Sequence, residues 1–362
     1  MKTLFAILTL ALLPITSHAG RPQEPKKPYP YIEQEVTFEN KKDVVTLAGT
    51  LTLPKSKGPH PAVLLITGSG PQDRDETIVG HKPFAVLADY LVRQGIAVLR
   101  FDDRGVDKSA GVYSMCTSED FATDALAGVE FLKGRKEIDS HKIGLIGHSE
   151  GGIIASMVAV RSSDVAFIVL MASPGVTGEQ IILKQQELAM KARGASEQDI
   201  AWIHARQNRI YEVLKEELDR DAAEQKLRAI LLEGAPKELT DSQEFAVSSE
   251  VQSALALLPW LRFFLTYDPA PTLAKVTYPV LAINGEKDCQ VSSRQNLPAI
   301  RKALRSGGNK DFSIIQLPGL NHLFQRCENG SVDEYAKIEE TISPTALEVI
   351  GNWIAKHTAP PR

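Results

Sequence analysis

Short apolar runs closed by polar or glycine-rich turns recur along this chain, and their spacing sets the first expectation of its architecture. Ile32–Phe38 and Val44–Leu53 alternate apolar and polar positions on either side of Asn40-Lys41-Lys42-Asp43, the pattern of an antiparallel hairpin. Strand-like runs follow at Ala62–Ile66, Ile96–Phe101, Ile143–Ile146 and Ala166–Met171. Helical segments lie between them, over about Pro83–Gln94 and Ser118–Lys133, the second opening on a polar cap and an acidic first turn. Strands that alternate with helices at this spacing predict a mostly parallel sheet covered on both faces.

After Pro174 the pattern changes. Up to about Tyr267, Ile200, Ile203, Ile210 and Leu214 recur at helical spacing among charged residues, and Glu224–Leu232 and Phe245–Leu265 are also helical in character. Strands return at Val280–Ile283 and around Phe312–Leu317, and a last helix over about Pro344–Lys356 carries the stripe Leu347, Ile350 and Ile354. A helical insertion between core strands, above the rim of the sheet, predicts a lid whose apolar inner face excludes water. Leu258-Pro259-Trp260-Leu261 and Phe263-Phe264 are its pocket-facing candidates, with a core role as the competing expectation.

Chemistry enters at Gly147-His148-Ser149-Glu150-Gly151-Gly152, between the Lys142–Ile146 strand and the apolar segment Ile153–Val160. Strand, G-x-S-x-G and helix together make a nucleophile elbow, in which the serine takes strained backbone angles and its hydroxyl stands clear of the sheet. Gly147 and Gly151 are required because side chains there would collide with the neighbouring strand and helix. The acid candidate is Asp288, in the polar turn after the Val280–Ile283 strand, with Glu286 as the alternate. The base candidate is His322, beyond the Pro318-Gly319 turn. Both follow the C-terminal ends of strands, where parallel sheets build their sites. The other histidines read as leader, turn, helix or tail residues, and His148 is expected to point away from the serine hydroxyl.

With these residues, the order Ser149, Asp288, His322, and the landmarks Gly68-Ser69-Gly70-Pro71 and Phe101-Asp102-Asp103-Arg104-Gly105, the chain resembles the serine α/β-hydrolase superfamily. It is similar to bacterial helical-cap carboxylesterases and to the hydrolase domains of S9-type peptidases. The resemblance runs from about Val44 to the last helix, and departs at Thr67, where many relatives carry histidine. It implies an α/β-hydrolase fold with a cap inserted after the sixth strand. The expected division is a signal peptide over 1–19, an N-terminal extension and first strand over 20–43, core over 44–175, cap over 176–267 and core again over 268–362.

In such a site His322 takes the proton of Ser149 as it attacks a carbonyl carbon, and Asp288 orients the imidazole. The oxyanion hole is expected at the backbone N–H groups of Glu150 and Ser69, with Gly70 as the alternative to Ser69. The implied activity is hydrolysis of a small-molecule carboxylic ester through an acyl-serine, with no cofactor and no metal. A peptidase or acyl-aminoacyl amide hydrolase using the same triad is the first alternative, and a non-catalytic binding module of the same fold is the second.

Composition narrows the picture further. The chain has 362 residues, 43% hydrophobic and 24% charged, with a formal net charge of −4 and no concentrated basic run, which argues against a nucleic-acid partner. Lys2, the apolar run Leu4–Ile15 and Ser17-His18-Ala19 read as a signal peptide cleaved after Ala19, predicting a periplasmic or secreted protein with no membrane span in the mature chain. Of the three cysteines, Cys289 follows the acid and Cys327 lies shortly beyond the base, so a bond between their loops is expected, with Cys116 competing for either partner and three unpaired thiols as the other outcome. The Asp73-Arg74-Asp75-Glu76 and Asp102-Asp103-Arg104 runs read as salt-bridged loop supports.

Overall fold

In the computed structural model of the protein, residues 21–233 and 253–359 are described, and an eight-stranded sheet organises them. In chain order the strands are β1 (Ile32–Asn40), β2 (Val45–Leu53), β3 (His60–Ile66), β4 (Ala97–Phe101), β5 (Ile138–His148), β6 (Phe167–Met171), β7 (Val280–Gly285) and β8 (Phe312–Leu317). Their spatial order is β1-β2-β4-β3-β5-β6-β7-β8. The first hairpin is antiparallel and β2 joins β4 antiparallel, while every pair from β4 to β8 is parallel.

The pleat sorts the strands' side chains between two cores. In β3, Ala62, Leu64 and Ile66 face one core and Val63 and Leu65 the other. Helices α1 (Pro83–Arg93) and α9 (Pro344–Thr358) cover one face through residues such as Phe84, Leu87, Leu91, Ile350 and Ile354. The opposite face packs α2 (Ser118–Lys133), α3 (Glu150–Ala159) and α8 (Ser293–Ser306). Helix α2 starts where Asp120 accepts the Thr117 N–H at 2.8 Å, so an acidic first turn also caps it.

Between β6 and β7 the longer described helices are α4 (Gly178–Ala192), α5 (Glu197–Glu216), α6 (Arg220–Leu232) and α7 (Pro259–Thr266), followed by a single helical turn at Ala270–Leu273. Ile181, Ile210, Leu214, Leu227, Leu261 and Phe264 make this insertion continuous with the core on the α2–α3 side. Helix α4 falls within the helical cap expected over 176–267, whereas α8, with Leu297, Ile300 and Leu304 buried along one side, is a helix that the sequence reading does not place. The strand expected at Ile143–Ile146 is longer, because β5 already pairs with β3 at Ile138. The expected leader, residues 1–19, and residues 245–252 of the segment Phe245–Leu265 lie outside the described residues. No helix among the described residues is long and apolar enough to cross a membrane.

Candidate active site

Ser149 sits between β5 and α3 with φ 53° and ψ −122°, a backbone conformation that L-residues rarely adopt. Its N–H donates to the Met171 carbonyl at 2.8 Å, which pins the turn to β6. The flanking glycines are steric necessities. A Cβ at Gly147 would lie 2.0 Å from the Gly151 carbonyl oxygen, and one at Gly151 would lie 2.2 Å from that of Ile66. The hydroxyl is therefore presented at the C-terminal end of the parallel strands, on a residue that remains partly exposed.

The two proposed partners reach that end from β7 and β8. Asp288 accepts the backbone N–H groups of Gln290 and Val291 on Oδ1, both at 2.8 Å, and holds Nδ1 of His322 on Oδ2 at 2.8 Å. One oxygen thus fixes the loop and the other fixes the imidazole. Both side chains are buried, so water does not compete for this hydrogen bond. Among the described residues no hydrogen bond joins Ser149 Oγ to His322 Nε2, a contact that commonly tightens only when substrate is bound. Glu286 is engaged elsewhere, accepting the Gly319 N–H at 3.0 Å.

The loop after β3 is clasped at nearly every residue. Thr67 Oγ1 donates to Asp103 at 2.8 Å, the Gly68 N–H to Glu76 at 2.7 Å, Ser69 Oγ to Glu150 at 2.6 Å, and the Gly70 N–H to the Tyr113 hydroxyl at 3.0 Å. Gly70, the alternative oxyanion donor, is thereby occupied. The backbone N–H groups of Ser69 and Glu150 have no hydrogen-bond partner among the described residues, so both remain available to an incoming oxygen. Thr67, where a histidine was the common alternative, works as a hydroxyl donor that ties the loop to Asp103.

Glu150 is buried beside this loop and has no cationic partner among the described residues. Its carboxylate accepts Ser118 Oγ at 2.5 Å, Ser69 Oγ at 2.6 Å and the Trp260 indole N–H at 2.8 Å. Burial raises its pKa, against the opposing effect of those three donors. Trp260 comes from α7 and stacks on Phe264 with ring centroids 5.1 Å apart, so the inserted helices reach the residue next to the serine. Of the pocket-facing candidates, Leu261 and Phe264 are core residues, whereas Trp260 and Phe263 are only partly buried.

Other expectations resolve into structure. Arg74 binds Asp102 through Nη2 at 2.6 Å and Glu35 through Nη1 at 2.9 Å, and Arg104 binds Asp124 at 2.6 Å and Asp43 at 2.7 Å. The expected bond between the acid and base loops is absent: Cys116, Cys289 and Cys327 are all free thiols. The physical reason is orientation, since Cys289 Sγ turns to the Lys287 and Asn329 carbonyls and Cys327 Sγ to that of Gly319. Sequence reasoning assigned Glu76 to a salt-bridged loop. It instead pairs with His148 behind the serine, and its only sequence signal was a carboxylate within a charged run.

A sheet of this order, an elbow serine and an Asp–His pair at the C-terminal rim are the architecture of an α/β-hydrolase. The profile of the X-Pro dipeptidyl-peptidase family (S15 family) matches residues 43–315. The chain belongs to that family. Among curated relatives, this S15-family chain is 28% identical to esterase EstD of Thermotoga maritima over 90% of its own length and 69% of EstD. Among solved structures it resembles the α/β hydrolase GrgF from Penicillium sp. at 16% identity, covering 91% of this chain and 100% of that one with TM-score 0.56. A second likeness is to Est1E of Butyrivibrio proteoclasticus with ferulic acid bound, at 17% identity, 90% and 100% coverage and TM-score 0.51. These likenesses establish the α/β-hydrolase fold, and the family and EstD together make this chain a hydrolase of esters or peptides.

Proposed function

We propose that this protein hydrolyses carboxylic esters through an acyl-serine at Ser149. The observation that carries the reading is the strained elbow serine, at φ 53°, on the same sheet rim as the 2.8 Å Asp288–His322 pair. In this reading Ser149 Oγ attacks the ester carbonyl carbon while His322 accepts its proton. Asp288 holds the imidazole and stabilises its positive charge. The Ser69 and Glu150 N–H groups receive the tetrahedral oxyanion, where a lost donor costs about 10²–10³ in rate. His322 then protonates the departing alcohol, and water activated by His322 releases the acid. The kinship with EstD along most of the chain favours an ester over an amide.

Hydrolysis of p-nitrophenyl esters from acetate to palmitate, with Ser149→Ala alongside, tests the proposal. Turnover that peaks at one chain length and disappears in the variant supports it; activity that survives Ser149→Ala refutes it. The S15 match favours a second reading, cleavage of a peptide amide by the same residues. Glu150 is a candidate carboxylate to hold a peptide amine, yet its oxygens already serve Ser69, Ser118 and Trp260. Faster turnover of aminoacyl-prolyl p-nitroanilides than of every ester would select the peptidase. Failure to react with a serine-directed phosphonate would select the non-catalytic module.

A further inference from the structure

A second acid–histidine pair lies behind Ser149, and the acyl-transfer steps do not use it. His148 Nδ1 meets Glu76 Oε1 at 2.9 Å, and His148 Nε2 meets the backbone carbonyl of His322 at 3.0 Å. The same Glu76 oxygen accepts the Gly68 N–H at 2.7 Å. Glu76 and His148 are 1% and 3% exposed. Glu76 Oε2 is buried with no hydrogen-bond partner, an arrangement that is unfavourable unless the rest of the group is held for a purpose.

Counting protons defines the state of the pair. A carbonyl oxygen only accepts, so Nε2 must carry a proton. The contact at Nδ1 then needs one further proton, carried by either the ring or the carboxyl, so the pair shares it. Burial alone pulls the His148 pKa down, but Glu76, the His322 carbonyl and the nearby Asp288 outweigh that and raise it. The charged or titratable groups facing His148 are Glu76, Asp288 and His322, whose ring centroid is 4.7 Å away.

Backbone strain converges on this network. Glu76 has φ 52°, Ser149 φ 53° and Phe324 φ 61°, and the Phe324 ring packs edge-on to His148 at 6.3 Å. Such residues cost roughly 1–3 kcal/mol each and persist where surrounding contacts over-determine them. Gly68 is fitted between the two sites as well, since a Cβ there would lie 3.1 Å from Ser149 Cβ and 3.2 Å from Glu76 Oε1.

We propose that Glu76 and His148 are positioning residues that lock the oxyanion loop, through Gly68, and the base loop, through the His322 carbonyl, into one unit with the elbow. The proposal rests on the acyl-serine reading above. Neither residue touches substrate: the pair fixes where the Ser69 N–H and the His322 ring stand relative to Ser149 Oγ. An interaction of this kind is expressed in the transition state more than in substrate binding, so its loss appears in kcat and not in KM.

The test uses the full chain, an ester substrate and a boronic acid that mimics the tetrahedral intermediate, with Glu76→Gln, His148→Asn and the double variant. Active sites are counted by phosphonate titration, so that unfolded protein is excluded. The expected result is a kcat lower by about 10- to 100-fold, below the effect of deleting an oxyanion donor outright, with KM within about threefold of native. Boronate affinity falls in step, and the double variant loses no more than the worse single one, because the two act as a unit. If His148→Asn does not fold, Glu76→Gln, which keeps size and an acceptor oxygen, decides alone. A kcat per titrated site within about threefold of native overturns the proposal, even if the melting temperature falls. Activity surviving in Ser149→Ala would instead overturn the acyl-serine reading, which separates the two failures.

Discussion

Asp75 and Glu76 are adjacent in sequence, both are acidic, and they belong to two different kinds of cluster. Asp75 faces Arg100, and around it Asp102 and Asp124 are paired with Arg74 and Arg104. Glu76, Asp103 and Glu150 touch no arginine or lysine among the described residues; their partners are an imidazole, hydroxyls, an indole and backbone N–H groups. All three of these carboxyls hold the loop after β3 at successive residues. Arginine pairs neutralise buried charge and carry the antiparallel edge of the sheet. Near the expected oxyanion position, directional hydrogen bonds fix geometry instead; burial raises the pKa of Asp103 and Glu150, as it does for Asp75 and Asp124, so the partners and not the direction of the shift separate the two clusters.

The largest effect should come from the carboxylate that belongs to neither cluster. Asp288→Asn keeps the shape of the loop but reverses the hydrogen-bonding demand on His322 Nδ1. A drop in kcat of about 10⁴ is expected, with the melting temperature near native. Steady-state ester kinetics on titrated sites would show it. A loss under about tenfold would mean that Asp288 is only a loop support.

The arginine-paired cluster should respond in the opposite way. Arg74→Met removes the guanidinium from Asp102, which is fully buried, and leaves an uncompensated carboxylate. Removing one partner of such a pair costs about 3–5 kcal/mol of stability. Denaturant melts should register that loss, while kcat per titrated site stays within about threefold of native. A variant with native stability and impaired kcat would erase the distinction between the two clusters.

How much of this was legible beforehand follows from the range of each signal. The elbow, the strand ends before Asp288 and His322, and the hairpin were readable because each is set by a few consecutive residues. The clasping of the loop was not, because its partners are remote: Glu76 and His148 stand 72 positions apart, and Trp260 stands 110 from Glu150. No periodicity encodes such pairs, so Glu76 looked like its neighbours in a charged run. Helix α8 escaped for a different reason: its buried side is part polar, through Ser293 and Asn296, and Pro298 stands inside it, a residue that ordinarily breaks a helix. The cysteines were read from loop proximity, while side-chain direction decides whether a bond forms.

A smaller effect is expected where the inserted helices meet the site. Trp260→Phe preserves most of the ring that stacks on Phe264 but removes the N–H shared by both Glu150 oxygens, each at 2.8 Å. Losing one hydrogen bond to a buried charged or ionisable group is worth about 1.5–3 kcal/mol locally, part of which relaxes through Ser69 and Ser118. A fall of about tenfold in kcat/KM is expected. It should be greater for bulky esters than for acetate, since Trp260 ties α7 to the residue next to Ser149. Equal losses across the ester series would place the effect on the oxyanion loop alone.

The subtlest test concerns Glu150 itself, through the pH dependence of stability. Its pKa is raised in the folded protein because burial penalises the charged form more than Ser118, Ser69 and Trp260 favour it. The folded state therefore holds this proton more tightly than the unfolded chain does. Its contribution is most favourable below the ordinary glutamate range and declines as pH rises through the folded pKa. Glu150→Gln removes that dependence while keeping an acceptor for the hydroxyls. The melting temperature of the variant, measured relative to native, should rise between acidic and mildly alkaline pH. A flat difference across that range would show that burial does not tighten the Glu150 proton in the folded state.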